Sequence, residues 1–209
     1  MTRIAVFASG RGSNFEALAA AAQAKRFPAE ICLLLSDRAD AGALTLAARF
    51  GIPTAVLEPR RPRGRLDADT EREMLARCRA ASAEWICLAG FMRILGEPLL
   101  SAYRDRVVNI HPSLLPAFPG LDAQRQAWDY GVTLSGCTVH LVDAGVDSGP
   151  IVLQRAVPVL PADDPEALAA RILEAEHTLY PEAMARLLAG GWRREGRRLV
   201  FTSSPEVGS

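Results

Sequence analysis

Three stretches of this sequence gather side chains that can bind an anion or move a proton. The first is Asn109-Ile110-His111, followed by Pro112-Ser113-Leu114-Leu115-Pro116. Residues two apart on a strand share a face, so Asn109 and His111 can address one point. A histidine gains or loses a proton near neutral pH, and either side chain can donate to an oxygen that becomes negative. A structural role is about as well supported by Asn-x-His alone: the pair could brace a loop stiffened by Pro112, Pro116 and Pro119. The second stretch is Asp143-Ala144-Gly145-Val146-Asp147-Ser148-Gly149-Pro150. An aspartate beside an imidazole favours its charged form, orients it and can share in proton transfer. Asp and Gly also build turns, and for Asp143 that is the better reading.

The third stretch is Ser9-Gly10-Arg11-Gly12-Ser13-Asn14, between an apolar run and a helical one. Glycines admit a ligand close to the backbone, and the free N–H groups of a helix start favour an anion. The spacing is neither G-x-G-x-x-G nor G-x-x-x-x-G-K-[ST], so a dinucleotide or nucleoside triphosphate is not the natural ligand. Arg11 suits a single phosphate. The competing reading is a tight turn with Ser13 or Asn14 as an N-cap. His111, His140 and His177 lack ligand-like spacing, so no metal is expected. Neither Cys137 nor any serine stands in a nucleophile context.

Elements that could position these stretches alternate along the chain. Strands are expected at Ile4–Ala8, Ile31–Leu35, Thr54–Leu57, Trp85–Ala89 and Val107–Ile110, with helices at Phe15–Ala24, Ala41–Phe50 and Asp67–Ser82. Pro59–Arg65 reads as a loop. Strand candidates that are apolar throughout and separated by helices predict a mostly parallel sheet covered on both faces, the doubly wound Rossmann-like α/β pattern. The second half adds a helix over Leu121–Tyr130, strands over Gly136–Val142 and Pro150–Pro158, and a helix from Asp164-Pro165 to Tyr180 that Pro181 should break or kink. A final hairpin is expected over Trp192–Thr202, then a frayed tail over Ser203–Ser209.

The 209 residues fit one domain, and 24 Lys+Arg balance 24 Asp+Glu. That balance argues against a nucleic-acid partner without excluding a local anion site. Lys25 is the only lysine, which points to compositional bias and makes the many arginines weak evidence of function. Cys32, Cys78, Cys87 and Cys137 form no C-x-x-C pair and read as reduced thiols of a cytoplasmic protein. No apolar run resembles a signal peptide or approaches the roughly 20 residues of a membrane span.

Ser9–Phe15, Ala89-Gly-Phe-Met-Arg-Ile-Leu95, Asn109–Pro116 and Gly145–Gln154, in order over residues 3–190, make the chain resemble the phosphoribosylglycinamide formyltransferase family. The resemblance implies a formyl transfer from 10-formyltetrahydrofolate, as co-substrate, to the amine of glycinamide ribonucleotide in purine biosynthesis. It implies a catalytic trio of Asn109, His111 and Asp147. Arg11, Gly12, Ser13 and Asn14 would hold the ribonucleotide phosphate, and Glu176 would sit near its glycinamide end. Met92, Arg93, Ile94, Leu95, Asn109 and the loop Asp143, Ala144, Gly145, Val146 and Asp147 would line the folate site. Ile94 and Leu95 also suit core packing, and Arg93 suits either a folate carboxylate or a surface ion pair.

The resemblance further implies a cis Leu115–Pro116 bond. At the column where the family often has an arginine for the folate tail, this chain has Asp67, which leaves Arg65 or Arg63 as substitutes. The implied partners are small molecules, with no nucleic acid or membrane, in a monomer or homodimer. Residues 1–100 would form the phosphate half and 101–200 the folate and catalytic half of one domain. A formyltetrahydrofolate deformylase, a methionyl-tRNA formyltransferase and a non-catalytic binding module remain as alternatives. The first two usually carry extra domains for which this length leaves no room.

Overall fold

Ile4-Ala-Val-Phe-Ala8 offers no polar face to water, so a strand built from it must lie inside a sheet covered on both sides. The computed structural model, which describes residues 1–59 and 64–202, places it there. In chain order the elements begin with β1 (Thr2–Phe7), α1 (Ser13–Gln23), β2 (Ala29–Ser36), α2 (Gly42–Arg49), β3 (Thr54–Val56) and β4 (Gly64–Arg65). There follow α3 (Ala68–Ala80), β5 (Trp85–Leu88), β6 (Arg93–Ile94), α4 (Glu97–Ala102) and β7 (Val107–His111). The chain continues through α5 (Ala123–Tyr130), β8 (Leu134–Leu141), β9 (Ile151–Pro158), α6 (Pro165–Leu188), β10 (Trp192–Glu195) and β11 (Arg198–Phe201).

Among the described residues, nine strands form one sheet in the order β10-β11-β9-β8-β7-β5-β1-β2-β3. β3, β2, β1, β5 and β7 run parallel, and β8 and β9 add an antiparallel hairpin. Period-two alternation divides β1 between two cores. Ile4, Val6 and Ala8 pack with residues of α1, α2 and α6, while Ala5 and Phe7 pack with residues of α3 and α4. The chain leaves β1 toward β2 and β3, then returns on its other side to β5 and β7. The carboxyl ends of β1 and β5 therefore flank a topological switch point, where open α/β sheets place their crevices. The turn after β1, the segment after β5 and His111 at the end of β7 all emerge along this edge.

Three expectations are corrected and one element is added. α6 does not stop at Tyr180 but runs through Pro181 to Leu188. An interior proline costs about 3 kcal/mol. Tyr180, Met184 and Leu187 are all at most 2% exposed, and each large apolar side chain so buried returns about 1.5–3 kcal/mol, so packing outweighs the missing bond. Within the expected loop Pro59–Arg65, Gly64–Arg65 form β4, which pairs with β6 outside the main sheet, while residues 60–63, including Arg63, lie outside the described residues. α4 was not anticipated from its six residues. The N-cap of α1 is Gly12 rather than Ser13 or Asn14. The tail over 203–209 also lies outside the described residues. All four cysteines are buried and free, and no helix among the described residues is long and apolar enough to cross a membrane.

Candidate active site

β7 delivers Asn109 and His111 to one cluster, and the loop after β8 folds back over the end of its own strand to bring Asp147. That return is tight: a Cβ on Gly149 would stand 1.8 Å from the Leu141 carbonyl oxygen, so only glycine fits. Asp147 holds a left-handed φ of 49°. Its Oδ2 lies 3.3 Å from His111 Nδ1 and accepts the Gly120 N–H at 2.8 Å. His111 Nε2 is 2.8 Å from the Phe118 carbonyl oxygen. Both ring nitrogens thus face acceptors, an arrangement that a ring carrying two N–H groups satisfies in full. Burial pushes the Asp147 carboxyl up. The His140 ring, the Gly120 amide and the charge on His111 outweigh it and hold the pKa below the ordinary value.

Asn109 and Asp147 both approach a residue that sequence reasoning passed over. Asn109 Nδ2 lies 3.2 Å from His140 Nε2, which lies 3.7 Å from Asp147 Oδ1. His140 is 2% exposed, and its Nδ1 is 2.9 Å from the Leu141 carbonyl. Its signal was cross-strand register, because His140 stands directly opposite Asn109 in the β7–β8 ladder. Asp143 serves the turn: its Oδ1 accepts from Ser148 Oγ at 2.6 Å and from Gly145 N at 3.1 Å. Ala144, Gly145 and Val146 are exposed at the loop tip.

After β1, two strands from β7 in the sheet, Gly12 adopts φ 87° as N-cap of α1, and no side chain caps the helix. The amides of the first turn are thus left for an anion. Ser13 and Asn14 are half-buried there and Arg11 is exposed. Asn14 Nδ2 donates to Glu176 Oε2 at 2.7 Å across the α1–α6 interface, while Asn14 Oδ1 is buried without a partner. Glu176 is 5% exposed, and burial pushes its pKa up to about 7 against the Asn14 hydrogen bond. Gly12→Ala tests the turn. The new Cβ would stand 2.7 Å from Ala43 Cα and Cβ, at a φ that L-residues avoid. A loss of about 2 kcal/mol in unfolding free energy is expected by denaturant titration.

The segment after β5 is tied to the same turn. Ser9 N–H donates to Gly90 O at 3.1 Å, and Met92 N–H donates to Ser9 Oγ at 2.9 Å. Met92 is 60% exposed, Ile94 is half-buried and Leu95 belongs to the core. Arg93 does not form a surface ion pair: its Nε donates to Asp37 Oδ2 at 2.6 Å, with side-chain exposures of 8% and 2%. Arg65 Nη1 donates to Leu95 O at 2.8 Å, which puts it against this segment. Asp67, in the column often held by arginine, is the N-cap of α3 and accepts from Thr70 N at 3.0 Å. Leu115–Pro116 is cis.

The family described as formyl transferase matches residues 2–184. A phosphoribosylglycinamide formyltransferase of Bacillus subtilis is 43% identical over 188 residues, covering 90% of this chain and 95% of that protein. The trifunctional purine biosynthetic protein adenosine-3 of Drosophila pseudoobscura is 49% identical over 194 residues, covering 92% of this chain and 14% of that protein. The chain therefore spans about a seventh of the length of that relative. The crystal structure of glycinamide ribonucleotide transformylase 1 from Symbiobacterium toebii superposes with a TM-score of 0.92 at 45% identity, covering 97% of this chain and 95% of that one.

Proposed function

Because the chain belongs to the formyl transferase family, we propose that it moves the formyl group of 10-formyltetrahydrofolate to the terminal amine of N1-(5-phospho-D-ribosyl)glycinamide. The products are the N-formyl ribonucleotide and tetrahydrofolate, in a step of purine biosynthesis. The observation that carries this reading is the convergence of Asn109, His111 and Asp147 on the same sheet edge as an uncapped helix start, with the buried carboxylate Glu176 bonded to Asn14 in that helix's first turn.

Each group has a task in such a transfer. The first-turn amides of α1, with Ser13, Asn14 and Arg11, receive the phosphate. Glu176, and Asn14 Oδ1 beside it, offer acceptors to the N–H groups of the glycinamide end. Met92 and Val146, 60% and 53% exposed, give the folate rings apolar surface on the two loops that would line them. As the amine attacks the formyl carbon, negative charge grows on the formyl oxygen. Asn109 Nδ2–H and His111 Nε2–H donate to it, the latter exchanging its present bond to Phe118 O. Asp147 holds His111 Nδ1–H and accepts the proton that the nitrogen sheds after attack. Collapse of the tetrahedral adduct then returns a proton to N10 of the departing tetrahydrofolate. Arg65, against Leu95, serves the acidic folate tail. Both partners are small molecules, and the setting is cytoplasmic.

The test is purified protein incubated with 10-formyltetrahydrofolate, with and without the ribonucleotide. Tetrahydrofolate is expected only when both are present. Equal release without the ribonucleotide would indicate hydrolysis of the donor and overturn this reading.

A further inference from the structure

We propose that two buried carboxylates, Asp37 and Glu71, are positioning residues for the formyl-donor site, clamping the two ends of the segment Arg93–Gly96. The proposal rests on the reading of that segment given above. The segment needs such a clamp because it stands apart from the nine-stranded sheet. Among the described residues its strand β6 pairs only with β4, two residues against two. So short a ladder is marginal by itself.

Side chains from two distant elements supply what the ladder lacks. At one end Asp37, immediately after β2, accepts Arg93 Nε–H at 2.6 Å with both side chains at most 8% exposed. At the other end Glu71, in the first turn of α3 and 2% exposed, accepts Gly96 N–H at 2.5 Å. Gly96 is the N-cap of α4 and brings no side chain of its own to that role. A Cβ there would lie 2.5 Å from Glu71 Oε2, so glycine leaves the carboxylate its seat. Between the ends, Leu66 N–H donates to Ile94 O at 3.1 Å and Arg65 to Leu95 O at 2.8 Å.

Stability alone does not account for such groups. A buried ion pair contributes little over an apolar pair of the same shape, because two charges have been taken out of water. What the pair does supply is a fixed direction. With Arg93 held inward, the backbone and the exposed side chain of Met92 keep one orientation. Neither carboxylate bonds to the ribonucleotide turn itself, whose contacts come from Gly90 and Met92, ahead of the clamped residues, and from α2 and α6.

Asp37→Ala and Glu71→Ala are therefore expected to raise the dissociation constant for tetrahydrofolate and KM for the formyl donor about tenfold, the scale of one lost charged hydrogen bond. KM for the ribonucleotide and kcat should stay within about twofold. Asp37→Asn and Glu71→Gln keep an oxygen acceptor in place and should recover most of the loss. They also serve if the alanine variants fail to fold, which thermal unfolding would reveal. Equal rises for both substrates, a fall in kcat at unchanged folate affinity, or no change would each overturn the clamp. Wild-type protein that binds no tetrahydrofolate would overturn the formyl-donor reading as well.

Discussion

His111→Ala is expected to lower kcat by about 10²–10⁴-fold, while dissociation constants for both ligands change by less than about threefold. The size follows from what the ring does. It is 5% exposed and held between Asp147 Oδ2 and the Phe118 carbonyl, so its N–H groups are oriented before substrate arrives. An oriented donor in a water-poor site needs little reorganisation when the formyl oxygen becomes negative, here the exchange of one bond at Nε2. Asp147→Asn should fall in the same range, since an amide cannot take the proton of the attacking nitrogen. The two residues act as a unit. The double variant should therefore be little worse than the poorer single one, not the product of both losses. Steady-state kinetics with direct binding measurements decide the matter. Activity near wild type in His111→Ala, or strictly multiplicative losses, would refute the assignment.

Glu176→Gln is expected to stabilise the ligand-free protein at pH 8 by about 3 kcal/mol and to leave it nearly unchanged at pH 4.5. Burial pushes the folded-state pKa up to about 7, from an ordinary 4.5. The folded state therefore holds this proton more tightly than the unfolded chain. The associated stability is fully present below about pH 4.5 and is lost as pH rises through about 7. Above that point the protein carries a buried carboxylate whose partner is one amide group, Asn14 Nδ2. The glutamine has no charge to bury. It should accordingly weaken the ribonucleotide, raising its KM at least about tenfold, because the N–H groups of the glycinamide end lose a charged acceptor. Denaturant midpoints from pH 4.5 to 8, run in parallel for both proteins, test the first half. Identical pH profiles would show that another group titrates.

Both predictions draw on residues that the sequence singles out, yet their surroundings were only partly legible there. Asn109-x-His111 was open to two readings of about equal weight. The return of the Asp147 loop sets a carboxylate against His111, and no local pattern announces that return. His140 looked uninformative because its value lies in standing across the ladder from Asn109. Arg93 was open to a ligand or a surface partner, and Asp37, which it bonds, lies 56 positions away just after β2. Pro181 shows the limit of a local rule, since helix α6 continues through it on the strength of burial.

By itself, the sequence determined the parallel sheet, because apolar runs separated by helices can be satisfied only between two covering layers. It also placed the candidate residues at strand ends and in the turns that follow them. Only the tertiary structure decided which side chains meet: the Asn109–His140 contact, the Asn14–Glu176 contact and the carboxylates behind the segment Arg93–Gly96. These pairings depend on strand order and on loops folding back, and both are set by the sum of many packing contacts. A residue's own neighbours in the chain do not encode that sum.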